Sequence, residues 1–196
     1  MLTRKQQHSK RFFDITATLL LLPFAIIPVL LLLLMATMAT KANGLFVQTR
    51  IGQYGKPFQL YKIRTLKGVE HTDIVAIKNN ETPFGSWLRR SKLDELPQLL
   101  NVLKGDMSWV GPRPDVPGYA DRLEGEDREI LDLKPGITGP ATLKYKNEEE
   151  LLLQQANPLK YNDTVLWPDK VEINKNYSKN WSLKNDMKYM LQSVFG

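Results

Sequence analysis

The chain has no cysteine and only two histidines in 196 residues. The first absence excludes disulfides and thiolate metal sites, and is compatible with a reducing compartment. His8 and His71 stand alone, with no partner spaced for a zinc site or a catalytic triad. Internal repeats and low-complexity linkers are missing too. Gly52-x-x-Gly55 is no nucleotide fingerprint, because no β-α-β unit surrounds it. Acid is nearly absent at the start. Residues 1–67 hold ten Lys/Arg against one acid, Asp14, and the remainder holds 17 against 20. The net charge of +6 is therefore +9 followed by −3. A nucleic-acid reader needs its basic patch on the folded domain, so nucleic acid is excluded as a partner. Basic charge gathered at the start of the chain suits an anionic membrane surface instead.

What that charge brackets is apolar. From Ile15 to Thr40 run 26 residues with no charge, interrupted by Pro23 and Pro28. About 20 apolar residues cross a bilayer as one helix. Arg4, Lys5, Lys10 and Arg11 precede the run; Lys41, Arg50, Lys56, Lys62, Arg64 and Lys67 follow it. The positive-inside tendency places both flanks in the cytoplasm. A single helix cannot span and return, whereas two half-helices bent at Pro23 or Pro28 can enter and leave one leaflet. On the residues alone, the base rate for long apolar runs favours a kinked spanning anchor, and the re-entrant hairpin is the other reading. A cleaved signal peptide has a shorter apolar core. Residues 1–40 thus form a membrane-associated leader. Residues 41–196 have the length of one soluble domain.

In that domain, 45–51 and 58–64 read as strands around the turn Gly52–Pro57. Thr82 and Pro83 read as N-cap and first residue of a short helix carrying Trp87, Arg89 and Arg90. Short helices are expected over 116–123 and 126–133, and a loop over 134–140. Asn147 is expected to cap a helix over 148–155. Ser182 is expected to cap a last helix whose Leu183, Met187, Met190, Leu191 and Val194 form a core-facing stripe. Helix predominates, with a small sheet.

The chemistry concentrates at Asp94 and Glu95. Pro97 is tolerated only in a first helical turn, so the helix carrying Leu99, Leu100 and Leu103 must begin near Asp94. A carboxylate there is stabilised as the anion, which predicts a low pKa for Asp94. Arg89, Arg90 and Arg113 add charge for substrate phosphates. Pro112 and Pro114 hold the backbone around Arg113, and Gly105 is a C-cap. An ionised carboxylate beside a phosphate cradle, with Asp94 and Glu95 as metal ligands, suggests phosphoryl transfer through a covalent aspartyl intermediate. Taken singly the residues have plainer readings. Ser91-x-x-Asp94 is a variant capping box, Glu95 a solvated helix residue, and the arginines a surface face.

The order of the motifs resembles the small monotopic phosphoglycosyl transferases of the bacterial sugar transferase family. The resemblance runs through Lys10-Arg11-x-x-Asp14, Gln48-x-Arg50-x-Gly52-x-x-Gly55-x-x-Phe58 and Lys62-x-Arg64-Thr65. It continues through Leu93-Asp94-Glu95-Leu96-Pro97-Gln98, Asn101 to Ser108, Val110-Gly111-Pro112-Arg113-Pro114, Lys134 to Gly139 and Asn180-Trp181-Ser182. It implies an α/β, predominantly helical protein: a re-entrant helix-break-helix in the membrane, a small β-hairpin, then a compact helical catalytic domain. It implies transfer of a sugar phosphate from a UDP-sugar to a polyprenyl phosphate, with release of UMP, at the start of polysaccharide or glycoconjugate synthesis. Asp94 would be the nucleophile and Glu95 its dyad partner, with Mg²⁺ bound near both. Arg89 and Arg113 match phosphate-binding positions; Arg90, Lys62 and Arg64 join them as candidates. Membrane lipids of the bacterial inner membrane, at its cytoplasmic face, are the implied surroundings, and a homodimer stays open. The chain departs from the family at Pro140-Ala141-Thr142-Leu143, and Leu22 precedes Pro23 where the family bend often has serine. The rival reading from another class is a membrane-anchored protein that holds an anionic lipid without chemistry.

Overall fold

Thr3 opens the longest element. Its hydroxyl accepts from the Gln6 amide at 3.3 Å, and the Gln6 side chain accepts from the Thr3 amide at 2.8 Å. This capping box satisfies two donors at the start of α1, Arg4–Thr40. In the computed structural model, which describes residues 2–68 and 74–195, α1 is one helix of 37 residues with Pro23 and Pro28 inside it. At 1.5 Å per residue it is about 55 Å long. The expected break into two helices is not there. Each proline removes one backbone bond, and in an apolar helix the flanking bonds carry the element past it.

One face of α1 is buried along its length, at Lys10, Asp14, Thr18, Ala25, Leu32, Ala36 and Thr40. The spacings of four and seven keep these on one stripe. Both ends pack on the rest of the protein. Near the start, Arg11 donates to the carbonyls of Val102 and Leu103. The Asp14 carboxylate accepts from the Ser108 hydroxyl and the Trp109 amide at 3.0 and 3.1 Å, and the Trp109 indole donates to Thr18. Near the end, Leu32 and Ala36 join a core cluster with Ile63 and Leu88. The middle stays bare, with Leu20, Phe24 and Ile27 largely exposed. Lys41 then takes a left-handed conformation and the chain doubles back. Gly44 is needed there, because a Cβ would lie 2.1 Å from the Leu33 carbonyl oxygen.

The hairpin follows as expected, with β1 at Leu45–Ile51 and β2 at Pro57–Ile63, antiparallel from Leu45↔Ile63 to Ile51↔Pro57. After α2 (Ile74–Asn80), Thr82 caps α3 (Pro83–Arg90) by accepting from the Gly85 amide at 2.8 Å. α4 is Gln98–Lys104, closed by Gly105 in the left-handed region. The expected loop over 134–140 instead contains β4, Gly136–Thr138, paired in parallel with β3, Ser108–Val110. Three-residue strands carry no usable alternation, so the pattern did not show them. The expected helices over 116–123 and 126–133 are 3₁₀ turns at Ala120–Arg122 and Gly125–Asp132. Pro117, with Gly118 and Gly125 at positive φ, breaks any longer helix.

The remainder is helical: α5 (Pro140–Lys144), α6 (Glu148–Leu153), α7 (Pro158–Tyr161), α8 (Trp167–Lys179) and α9 (Leu183–Phe195). Asn147 precedes α6, but its side chain makes no capping bond. Ser182 does cap α9, accepting from the Asn185 amide at 3.2 Å. Of the stripe expected on α9, Met190 packs inward, but Met187, Leu191 and Val194 are 50%, 58% and 73% exposed. The face turned inward is that of Asp186, Tyr189 and Met190. Asp186 pairs with Lys10 at 2.6 Å and accepts from Tyr177 and Trp181. Tyr189 and Met190 pack on Leu2, Val110, Leu133 and Tyr177. Among the described residues His8 bonds only within α1, to the Arg4 carbonyl, and His71 lies outside them.

Candidate active site

α3 is pressed against the end of the hairpin. A Cβ on Gly85 would lie 2.0 Å from the Thr65 carbonyl oxygen. The helix ends at Arg90, and Lys92 turns the chain with a left-handed φ of 55°. A single 3₁₀ turn, Leu93–Glu95, then presents the acid pair. The pair was expected in the first turn of α4 and sits one turn earlier. Pro97 has no N–H to close an α-type bond back to Leu93, so the chain makes three-residue bonds here, Glu95 to Lys92 and Leu96 to Leu93. α4 starts only at Gln98.

This placement changes the electrostatics. Asp94 is buried, and no backbone N–H donates to its carboxylate among the described residues. Its nearest cation is Lys62 on β2, at 3.8 Å. Glu95 is better served. Its Oε1 accepts from Lys62 at 3.0 Å and from both terminal nitrogens of Arg113 at 3.4 Å. Burial therefore pushes the Asp94 carboxyl above the usual carboxylate range, against Lys62 and with help from the Glu95 charge. Burial also pushes Glu95 up, but Lys62 and Arg113 outweigh it and bring Glu95 down to about 2. The low pKa expected for Asp94 belongs to its neighbour. Glu95 in turn raises the Arg113 guanidinium above its ordinary value.

Pro112 and Pro114 are both buried and hold Arg113 between them. Arg50 on β1 supports this segment by donating to the Pro114 carbonyl, with its other nitrogens on Gln48. Burial and the Arg113 charge lower Arg50 to about 10. The next residue, Asp115, is raised to about 6 by burial, against Lys170, Arg50 and Arg113. Arg50 and Asp115 were not among the expected site residues. The signal for Arg50 was present: Gln48 and Arg50 alternate on a strand, and so share a face. Arg50, Lys62, Glu95, Gln98 and Arg113 line one small cleft, with Leu60, Pro114 and Gly136. A larger apolar depression of about 500 Å³ lies on α9, along Leu183, Met187 and Leu191. It holds no acid, so the charge constellation rather than size marks the site.

The structure thus brings Asp94, Glu95, Lys62 and Arg113 together. Arg89 stands at the margin, close enough to act on the Asp94 charge but paired with Glu81 at 3.4 Å and with Glu149. Arg90 is exposed and makes no hydrogen bond or ion pair among the described residues. Arg64 donates to the Asn43 carbonyl and covers the Phe46 ring, at the junction of α1 and β1.

The model of the family described as bacterial sugar transferase matches residues 5–196. The chain is 34% identical over 187 residues to EpsL of Bacillus subtilis, an uncharacterized sugar transferase, covering 94% of this chain and 85% of that protein. It is 34% identical over 195 residues to the UDP-glucose:undecaprenyl-phosphate glucose-1-phosphate transferase of Caulobacter vibrioides, covering 94% and 68%. Against the protein of the same name from Escherichia coli it is 35% identical over 200 residues, covering 95% of this chain but 39% of that longer protein. These relatives are transferases, and the reading without chemistry is set aside. One unbroken match takes in nearly all of α1, the hairpin, the acid turn and the arginine behind it, and on that ground the chain belongs to the bacterial sugar transferase family.

Proposed function

We propose that the protein transfers a sugar phosphate from a UDP-sugar to a polyprenyl phosphate in two steps through Asp94. In the first, an Asp94 oxygen attacks the β-phosphorus, the bond to the bridging oxygen breaks, and UMP leaves with the bond's electrons. In the second, an oxygen of the lipid phosphate attacks the same phosphorus and releases the Asp94 carboxylate. The observation that carries this reading is the division of labour in the acid pair. Glu95 is an anion tied to Lys62 and Arg113, while the Asp94 oxygens take part in no hydrogen bond among the described residues. A nucleophile is better for being unencumbered, and its neighbour keeps the cations in place. Lys62 and Arg113 lie where they would stabilise charge on the transferring phosphoryl group.

No cluster of three or more metal-ligating side chains occurs among the described residues. Two adjacent carboxylates nevertheless suit Mg²⁺, which takes one or two from a protein and completes its shell with water and substrate phosphate oxygens. Asp94 and Glu95 would hold it, and when bound it supplies positive charge to the diphosphate.

On this reading the reaction takes place at the cytoplasmic face of the bacterial inner membrane, with α1 entering and leaving one leaflet. What supports a one-sided arrangement is that Lys10 and Asp14 at one end of α1, and Leu32 and Ala36 at the other, pack on the same folded domain. One domain cannot lie on both sides of a bilayer. Pro23 and Pro28 mark where a continuous helix can bend.

The test is intact mass. Wild-type protein incubated with UDP-sugar and Mg²⁺, without lipid, gains one sugar phosphate; the Asp94→Asn variant gains none. Transfer to lipid by a wild-type protein that never carries the adduct would overturn the two-step route.

A further inference from the structure

α6 is held on the protein in an unusual way. None of its residues is buried. Its first two residues pair with different helices. Glu148 pairs with Lys170 on α8 at 2.6 Å, and Glu149 pairs with Arg89 on α3. Glu148 also acts on the Arg113 guanidinium, second only to Glu95 among its acidic neighbours. α6 therefore meets the edge of the phosphate site through ion pairs, with Leu151 and Leu152 only half-buried beside them.

The two carboxylates on Arg89 differ. Glu81 has a side chain only 11% exposed and is part of the frame; the Glu149 side chain is 50% exposed. A half-exposed ion pair holds its partners only weakly, so it is readily exchanged. A diphosphate brings more charge and can engage a guanidinium through two parallel hydrogen bonds. An element with no buried side chain also opens locally at little cost.

We propose that α6 is a displaceable strap. Its Glu149 occupies Arg89 in the empty protein, and the diphosphate of the donor takes Arg89 from it and frees the strap. Glu149 is thus a residue that sets donor affinity by competition, and Glu81 the residue that positions Arg89. This rests on the reading that Arg89 serves the donor's phosphates.

The probe is UDP, titrated into the full-length protein in detergent micelles by calorimetry. Glu149→Gln removes the competing charge and keeps the size. It should bind UDP about 1.4- to five-fold more tightly, the range set by an exposed pair. Amide exchange over 148–153 in the wild type should quicken when UDP binds. Unchanged or weaker UDP binding by Glu149→Gln overturns the strap, as does unchanged or slowed exchange over 148–153. Arg89→Ala separates the two levels of the argument. If it binds UDP as well as wild type, Arg89 is no phosphate ligand and the underlying reading fails. If it binds UDP weakly while Glu149→Gln is unchanged, only the strap fails.

Discussion

Replacing Lys62 by methionine tests the electrostatics of the acid pair most directly. Methionine keeps most of the stem and removes the ammonium that lies 3.8 Å from Asp94 and 3.0 Å from Glu95. At about 4 Å, one unit charge acts on another with about 1 kcal/mol in a water-like medium and about 4 kcal/mol at an effective dielectric of ~20. The Lys62 side chain is 18% exposed, which places it nearer the second figure. Burial already favours protonated Asp94, and Lys62 is the first influence opposing it. Losing Lys62 therefore moves Asp94 further up. Attack requires the anion, so the acid limb of the pH–rate profile moves to higher pH. On that limb turnover falls about five- to several-hundred-fold, at about 1.4 kcal/mol per tenfold. The assay is UMP release at saturating UDP-sugar and lipid phosphate across pH, with Lys62→Arg as the variant that keeps the charge and the limb. Stability follows the other acid. Glu95 is held at about 2, below its ordinary 4.5, so its pairing stabilises the fold fully above about pH 4.5 and is lost as pH falls through 2. Lys62→Met should erode that contribution at neutral pH and lower Tm. An acid limb that stays in place in Lys62→Met would refute the assignment of Asp94 as the titrating nucleophile.

Two further outcomes are expected. Arg113→Ala should cost roughly 10²-fold in turnover, the scale of losing one charge-stabilising donor. Arg113→Lys should recover little, because an ammonium cannot offer two parallel contacts to phosphate or to Glu95; turnover near wild type in folded Arg113→Ala would take Arg113 out of the site. Because the chain lacks cysteine, single cysteines at Gln7 and Asn43 give a clean test of topology. Neither should react with an impermeant reagent applied outside spheroplasts, and labelling of one alone would show a helix that spans.

The hairpin and the caps at Thr82 and Ser182 were legible because each rests on local chemistry: a glycine-rich turn between alternating strands, or a hydroxyl ahead of an apolar helix. The acid pair was legible as a position and misread as an environment. Pro97 signalled a helix start, yet a left-handed Lys92 and a 3₁₀ turn put Asp94 outside it, and burial then decided its charge. α9 shows the limit in another form. Its apolar period revealed a helix, but the face that turns inward is chosen by Asp186, whose partner Lys10 lies 176 residues away. The parallel pair of β3 and β4 is invisible for the same reason, since short strands owe their existence to neighbours distant in the chain.

The Lys10–Asp186 pair also dates the moment at which α1 can be fastened to α9. Lys10 is buried against Asp186 and Tyr177, both of which the ribosome delivers well over 150 residues later. At about 5–20 residues per second, roughly 10 to 35 s pass between the synthesis of the lysine and that of its counter-ion. During that interval the leader must keep its ammonium in water or among lipid headgroups while the apolar stretch behind it is already seeking the bilayer. If α1 is the proposed membrane anchor, insertion comes first and docking second, and a nascent chain stalled before residue 186 has its apolar helix not yet fastened to α9.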